Sequence, residues 1–316
     1  MKPRVFIDGR EGTTGLQIFD RLSEREDIEL LSIDDDKRKD IGERKRLLCM
    51  ADLVFLCLPD DAAREAVALI DNSKTRVIDA STAHRTSPGW VYGFPELSAE
   101  HCEKVKNGRF IANPGCHASG IIASVYPLIR MGVMPHDYPL TAFSLTGYSG
   151  GGKAMIKAYN EDKLPEMCAP RLYSLDLQHK HLPEIQHITG LVRTPVFCPI
   201  VDDYYAGIAA TIMLHRELLI GQPTAECIRR MLYDYYRSQC AGVHHITVAP
   251  ELGSGMLESN WGEDSDSMML TVSGNDDLMI VTARFDNLGK GASGAAVQNM
   301  NVMLFSKCIM QSKQCY

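Results

Sequence analysis

At 316 residues and 45% hydrophobic content, the chain is long enough for one large domain or two ordinary ones with a sizeable core, which excludes a disordered or fibrous protein. A formal net charge of -7, with no long basic stripe to offset it, gives no electrostatic reason to expect nucleic acid as a partner. The ten cysteines are scattered without CxxC pairs, and Met1-Lys2-Pro3-Arg4 leads straight into a strand, so neither a metal-finger framework nor a signal peptide is expected.

The apolar stretch after Gly120 is interrupted by Pro127 and Arg130. It falls short of the ~18 to 20 apolar residues of a membrane span, and a reducing, cytoplasmic setting with free thiols is expected.

In chain order, Arg4 to Asp8 read as a short buried strand, Gly9-Arg10-Glu11-Gly12-Thr13-Thr14-Gly15 as a glycine turn, and Leu16 to Leu22 as a helix. The spacing GxxGxxG departs from the dinucleotide fingerprint GxGxxG, and a plain tight turn would use glycine too. The strand, turn, helix context favours a dinucleotide, because backbone N–H groups of such a turn approach a pyrophosphate at the positive end of the helix. Ile28 to Ile33, Leu53 to Leu58 and Val77 to Ala80 read as further strands with helical segments among them, which predicts a parallel, doubly wound sheet. Asp34 stands about where an acidic residue would hold a ribose 2′-hydroxyl, whereas Lys37 and Arg38 would suit a 2′-phosphate. These residues leave NAD and NADP open. The basic stretch Lys37 to Arg46, broken by Asp40 and Glu43, reads as a solvated face.

Asn113-Pro114-Gly115-Cys116 follows the strand-like Phe110-Ile111-Ala112 and precedes a helix-like run from His117 to Ile129. A thiol at a helix start meets unpaired N–H groups and the positive end of the helix dipole, which lower its pKa and favour the thiolate. The alternative is a Pro-Gly turn with Cys116 packed inertly behind it. Beyond Cys116 the segments Leu140 to Leu145, Gly207 to Leu214, Ser267 to Val272 and Leu278 to Phe285 read as longer strands of a mixed sheet with helices on one face, and Ala292 to Phe305 as a final helix.

Gly147-Tyr148-Ser149-Gly150-Gly151-Gly152-Lys153 offers backbone donors for a phosphate or an oxyanion at Ser149 and Gly150, or is a flexible hairpin. It lacks the ATP P-loop pattern. The histidine cluster Gln178-His179-Lys180-His181-Leu182-Pro183-Glu184 supplies a proton-transfer partner for a thiolate, and His181, just before a helix start at Pro183, is the better placed of its histidines. Surface histidines are the plainer reading, and the absence of neighbouring Cys or Asp ligands disfavours a metal.

Together these residues resemble the shorter form of the N-acetyl-gamma-glutamyl-phosphate reductases of arginine biosynthesis. The resemblance rests on Gly9 to Gly15, Asp79-Ala80-Ser81-Thr82-Ala83-His84-Arg85, Tyr92-Gly93-Phe94-Pro95-Glu96-Leu97, Asn113 to His117, Gly147 to Gly152, His179 to Ile185, Asp286-Asn287-Leu288-Gly289-Lys290-Gly291 and Gln298-Asn299-Met300-Asn301. It implies an α/β fold: a Rossmann-type parallel-sheet domain (1–116 and 287–316) with an inserted α+β substrate domain of mixed sheet (117–286). It also implies NADP(H) as cofactor, held by Gly9, Gly12, Thr13, Thr14, Gly15 and Ser81. Cys116 would be the nucleophile and His181 the acid/base, with His179 less secure. Arg85 would meet the substrate phosphate, as in related semialdehyde dehydrogenases. His117, where the longer form usually has Tyr, marks the shorter form.

The implied protein is a cytoplasmic homo-oligomer, a dimer or tetramer, acting on a small acyl phosphate without nucleic acid or membrane. Phosphate is expelled by Cys116 and the resulting thioester is reduced by NADPH. Arg171 is a candidate partner for the substrate carboxylate or an ordinary surface arginine. The competing readings are a reductase of another acyl phosphate, of aspartyl or aminoadipyl type, and a non-catalytic dinucleotide-binding regulator.

Overall fold

The computed structural model describes residues 2–238 and 245–305. The first part alternates strands and helices: β1 (Arg4–Asp8), α1 (Thr13–Ser23), β2 (Glu29–Leu31), α2 (Ile41–Met50), β3 (Leu53–Leu56), α3 (Asp60–Leu69), β4 (Arg76–Asp79), β5 (Val91–Tyr92), α4 (Ala99–Asn107) and β6 (Phe110–Ala112). The strands form one parallel sheet in the order β2-β1-β3-β4-β6-β5. Period-two alternation sorts its side chains between two cores. Val5 and Ile7 pack with Ile18 and Leu22 of α1 and with Cys102 and Val105 of α4, while Phe6 packs on the other face with Leu47 and Leu48 of α2 and Ala63 and Ala66 of α3.

The chain leaves β1 toward β2 on one side and later returns to β3 on the other. The ends of β1 and β3 are therefore a topological switch point, where open α/β sheets bind ligands.

The remainder comprises α5 (Cys116–Arg130), β7 (Thr141–Gly147), α6 (Gly152–Asn160), β8 (Arg171–Leu172), α7 (Leu182–Thr189), β9 (Val196–Asp202), β10 (Ile208–His215), α8 (Ala225–Ser238), β11 (Ile246–Val248), β12 (Met268–Gly274), β13 (Leu278–Phe285) and α9 (Gly294–Phe305). Its mixed sheet runs β11-β12-β13-β10-β7-β9-β8. Residues of α5, α7 and α8 share one apolar core with Phe197, Ile212, Val272 and Phe285 of its strands, so the helices lie on one face as expected.

β9 escaped the sequence reading because Pro199 sits inside it. Pro199 O accepts from Tyr173 N at 3.2 Å, and the N–H and C=O of one strand residue point the same way. The missing N–H therefore faces the short β8 and leaves the ladder to β7 intact. The final helix begins at Gly294, after a π-helical turn over Gly289–Ser293, and returns to the first sheet, where Ala296 and Met300 join the α1 and α4 core. Among the described residues no helix is long and apolar enough to cross a membrane.

Candidate active site

The glycine turn meets the sheet at the switch point. Gly9 takes φ +88°, and a side chain there would collide with Cys57 O; one on Gly15 would collide with Gly9 O. Helix α1 starts at Thr13, earlier than the apolar spacing indicates, with Gly12 as its N-cap. Thr13 and Thr14 thus stand at its positive end, and the buried Thr13 Oγ1 has no hydrogen-bond partner.

A cavity of about 300 Å³ opens beside the turn. Its walls include Gly9, Arg10, Ser32, Arg38, Lys39 and Arg44. The basic stretch is therefore not wholly a solvated face. Arg38, Lys39 and Arg44 turn into this cavity, Arg44 held by the buried Asp8 at 2.7 Å. Asp34 and Lys37 lie outside the lining and pair with each other at 3.0 Å.

Cys116 is the first residue of α5, partly exposed where two further cavities meet. One, about 170 Å³, is lined on the cofactor side by Thr13, Thr14, Arg85, Asn113, Ser149 and Asn287; the other, about 200 Å³, by His117, Thr146, Met155, Tyr173 and His179. Cys116, Gly150, Lys180 and His181 line both. His181 is the N-cap of α7, placed by the turn that Pro183 fixes, and its buried Nδ1 has no partner.

Behind Cys116 lies Glu184. Its carboxylate accepts from Arg85 Nη1 (2.6 Å), the Tyr92 hydroxyl (2.6 Å) and Gly115 N (3.1 Å), and its Oε1 lies 3.9 Å from His181 Nε2. A Cβ on Gly115 would collide with His181, Arg85 and Glu184 at once, so the Pro-Gly step is what lets these groups close around Cys116. Three donors compensate a charge that burial alone would make costly.

The electrostatics correct one expectation. Burial pushes the Cys116 thiol up, against the Arg85 guanidinium, the His117 backbone N–H and the Lys180 ammonium, which favour the thiolate. Helix-start geometry does not overcome desolvation here, and the resting thiol is protonated near neutrality. Burial, reinforced by Arg85, holds His181 well below the ordinary histidine range. Burial likewise brings His117 down to about 3 and His179 to about 4. The resting pair is thus a neutral thiol and a neutral imidazole able to accept its proton.

Other residues singled out from sequence fall in distinct places. His179 lines the second cavity, but its Nδ1 accepts from His181 N at 3.2 Å. His117 is tied through Nδ1 to Ser144 Oγ (2.8 Å) and through Nε2 to the Tyr173 hydroxyl (2.7 Å), a structural arrangement. Ser149 is buried, its hydroxyl accepting from Asn287 Nδ2 at 3.0 Å. Ser81 lies outside the cavity linings; its hydroxyl donates to Asp79 at 2.7 Å and braces the loop carrying Arg85. Arg171 also lies outside them, donating to the Tyr159 hydroxyl at 2.9 Å. Among the described residues no cluster suited to a metal ion occurs.

Residues 4–105 match the family described as semialdehyde dehydrogenase, NAD binding domain, and residues 116–287 that described as semialdehyde dehydrogenase, dimerisation domain. N-acetyl-gamma-glutamyl-phosphate reductase 2 of Nostoc sp. is 45% identical over 316 residues, covering 96% of this chain and 97% of its own. Its namesake in Pseudomonas putida is 46% identical with the same coverage. The chain belongs to the N-acetyl-gamma-glutamyl-phosphate reductase family. The reductase is therefore an oxidoreductase with a dinucleotide-binding part at residues 4–105.

Two solved structures share its fold. Aspartate semialdehyde dehydrogenase II of Vibrio cholerae, complexed with ASA, gives a TM-score of 0.71 at 16% identity, covering 96% of this chain and 98% of that one. Aspartate semialdehyde dehydrogenase of Francisella tularensis gives 0.72 at 13%, covering 96% and 99%.

Glu184 and Tyr92 stand within the sequence motifs without a role assigned to them, Lys39 and Arg44 belong to the stretch that reads as a solvated face, and Ser144 and Tyr173 are marked by no motif. Glu184 carried a readable signal, an acidic residue three positions after His181 on a helix start. Tyr173 and Ser144 carried none, because their meaning comes from a fold that brings β7 and the segment after β8 to His117.

Proposed function

We propose that this chain reduces N-acetyl-gamma-glutamyl phosphate to N-acetylglutamate 5-semialdehyde with release of phosphate, as a step of arginine biosynthesis, using NADPH. The observation that carries this reading is the convergence of Cys116 and His181 at the junction of two cavities, one of which opens on the dinucleotide turn, with Glu184 behind them held by three donors.

The residues fit the cofactor. The glycine turn is folded too tightly for a side chain at Gly9 or Gly15, which keeps its backbone open to a pyrophosphate, and Thr13 Oγ1 is a buried polar atom with no partner beside it. Gly9, Gly12, Thr13, Thr14 and Gly15 would hold the pyrophosphate. Arg38, Lys39 and Arg44 in the adjoining cavity, with Asp34 outside it, support NADP over NAD. Ser81 acts on this site through its loop. A reduced nicotinamide bound here supplies the hydride.

The chain's own residues carry the rest. As the Cys116 sulfur attacks the acyl carbon, the thiol proton passes to His181 Nε2, the ring nitrogen beside Gly115; a C–S bond forms, the C–O bond to phosphate breaks, and phosphate leaves with the bonding pair. Glu184, 3.9 Å from Nε2, stabilises the imidazolium. After the carbonyl carbon of the thioester is reduced, the imidazolium protonates the developing hemithioacetal oxygen, and N–H groups at the start of α5 stabilise the oxyanion. Collapse releases the aldehyde and returns the sulfur to its thiol. Arg85 fixes Glu184 and adds positive potential toward the phosphate, with Ser149 and Gly150 bordering it.

The two separate sheets support a division into 1–116 with 287–316 and 117–286, of which residues 239–244 and 306–316 lie outside the described residues. The description of residues 116–287 as a dimerisation domain supports a homo-oligomer, a dimer or tetramer, and the scattered cysteines support a cytoplasmic setting. A spectrophotometric assay in reverse, with N-acetylglutamate semialdehyde, phosphate and NADP, tests the reading. Phosphate-dependent appearance of reduced cofactor is the expected result. Turnover of aspartate semialdehyde in its place would overturn the substrate, and none with either would overturn the activity.

A further inference from the structure

An acyl phosphate brings two kinds of anion to the site, the phosphoryl group on the reacting carbon and the carboxylate at the far end of the molecule. The cations around Cys116 are unequally able to meet them. Arg85 is committed, its Nη1 to Glu184 at 2.6 Å and its Nε to Asn113 O at 3.0 Å. Arg171 is turned to Tyr159 and lies outside both cavities. Lys180 lines both cavities, and its ammonium has no hydrogen-bond or ion-pair partner among the described residues. It is the exposed residue between two buried ones, His179 and His181, whose backbone is pinned by the His181 N to His179 Nδ1 bond (3.2 Å) and the Leu182 N to His179 O bond (2.9 Å). The backbone is fixed while a four-carbon stem leaves the charge free to follow a ligand.

We propose that Lys180 is the phosphate-binding residue of the reaction, pairing with the phosphoryl oxygens of the bound acyl phosphate and with phosphate as it leaves, beside Gly150. The phosphoryl group is bonded to the carbon that Cys116 attacks, so it lies at the junction where the two cavities meet, and Lys180 is the cation at that junction with its donors unused. Its charge reaches the same atoms, depressing His117, His179 and His181 and favouring the Cys116 thiolate. The assignment deepens the proposed function and rests on it. Arg85 supplies fixed potential and Lys180 a mobile contact.

The reverse reaction separates the two anions, because phosphate and semialdehyde are then distinct substrates. Lys180→Met should raise the KM for inorganic phosphate by about ten- to a hundredfold, the effect of losing one charge-assisted contact, with the semialdehyde KM and NADP affinity within about twofold of wild type. Lys180→Arg should recover most of the loss. A variant too slow to assay is tested by calorimetric titration of its NADP complex with inorganic phosphate, where the same weakening is expected. An unchanged phosphate KM or affinity overturns the proposal, and so does a rise confined to the semialdehyde KM, which would place the carboxylate at Lys180. Wild-type protein without reverse activity would instead sink the underlying function, so the two failures are distinguishable.

Discussion

On the cofactor side of Cys116 the protein works largely with backbone, presenting a glycine turn at the end of β1, the first N–H groups of α1 and one unpartnered hydroxyl. On the other side it works with side chains from widely separated segments: Arg85 and Tyr92 from the first domain, Glu184 of α7 with His181 at its N-cap, and Tyr173 from the strand edge. The first arrangement is local and the second is assembled by folding. A local cradle should degrade in small steps when altered, because each donor acts nearly alone, whereas an assembled proton-transfer site should fail as a unit.

The largest expected effect is on the assembled side. Cys116→Ser should abolish turnover while cofactor titration and thermal unfolding stay close to wild type, because a serine hydroxyl resists ionisation and the volume change is small. Substantial residual turnover would show that no thioester is needed. His181→Asn should lower kcat by something on the order of 10² to 10⁴ and remove one limb of the kcat/KM profile against pH. His179→Asn should be milder, since that imidazole mainly braces the His181 backbone. If the two exchanged their effects, the acid/base would be His179.

A smaller effect belongs to the cofactor side. Arg38→Ala should raise the KM for NADP by about tenfold and leave that for NAD nearly unchanged, because Arg38 lines the cavity suited to a 2′-phosphate while its partners Glu11 and Asp35 are exposed. Equal weakening of both cofactors would contradict that placement.

The contrast also explains what could be read from the chain. The turn, the Cys116 helix start and the bounds of β13 follow from spacing, glycine placement and alternation, all of which act over a few residues. The direction of the Cys116 shift did not follow, because the helix start is local and visible whereas the protein packed around the thiol is not. Glu184 is written beside His181 in sequence, yet its three donors come from Arg85, Tyr92 and Gly115, and only the fold shows that the acid is compensated. β9 was hidden by Pro199, whose tolerance depends on which neighbour its missing N–H faces.

The smallest effect is on stability. His117 and His179 titrate near 3 and near 4 in the folded protein and near the ordinary histidine value of about 6.5 when unfolded. Between those values the unfolded chain binds more protons, so their contribution is complete above about pH 6.5 and is lost as pH falls through the folded values. The Tm should fall over that acid window, and His179→Asn should flatten the slope by a shift on the order of a few degrees. A variant with the wild-type slope would mean that His179 is not held neutral by folding.

The central claim, a covalent acyl group on Cys116, is tested most directly by peptide mass analysis after mixing the protein with N-acetylglutamate semialdehyde and NADP in the absence of phosphate. With no phosphate to discharge the thioester, the peptide containing Cys116 should gain the mass of one N-acetylglutamyl acyl group as reduced cofactor appears, and adding phosphate should remove it. Reduced cofactor formed with Cys116 unmodified, or with the acyl group on another residue, would contradict the account.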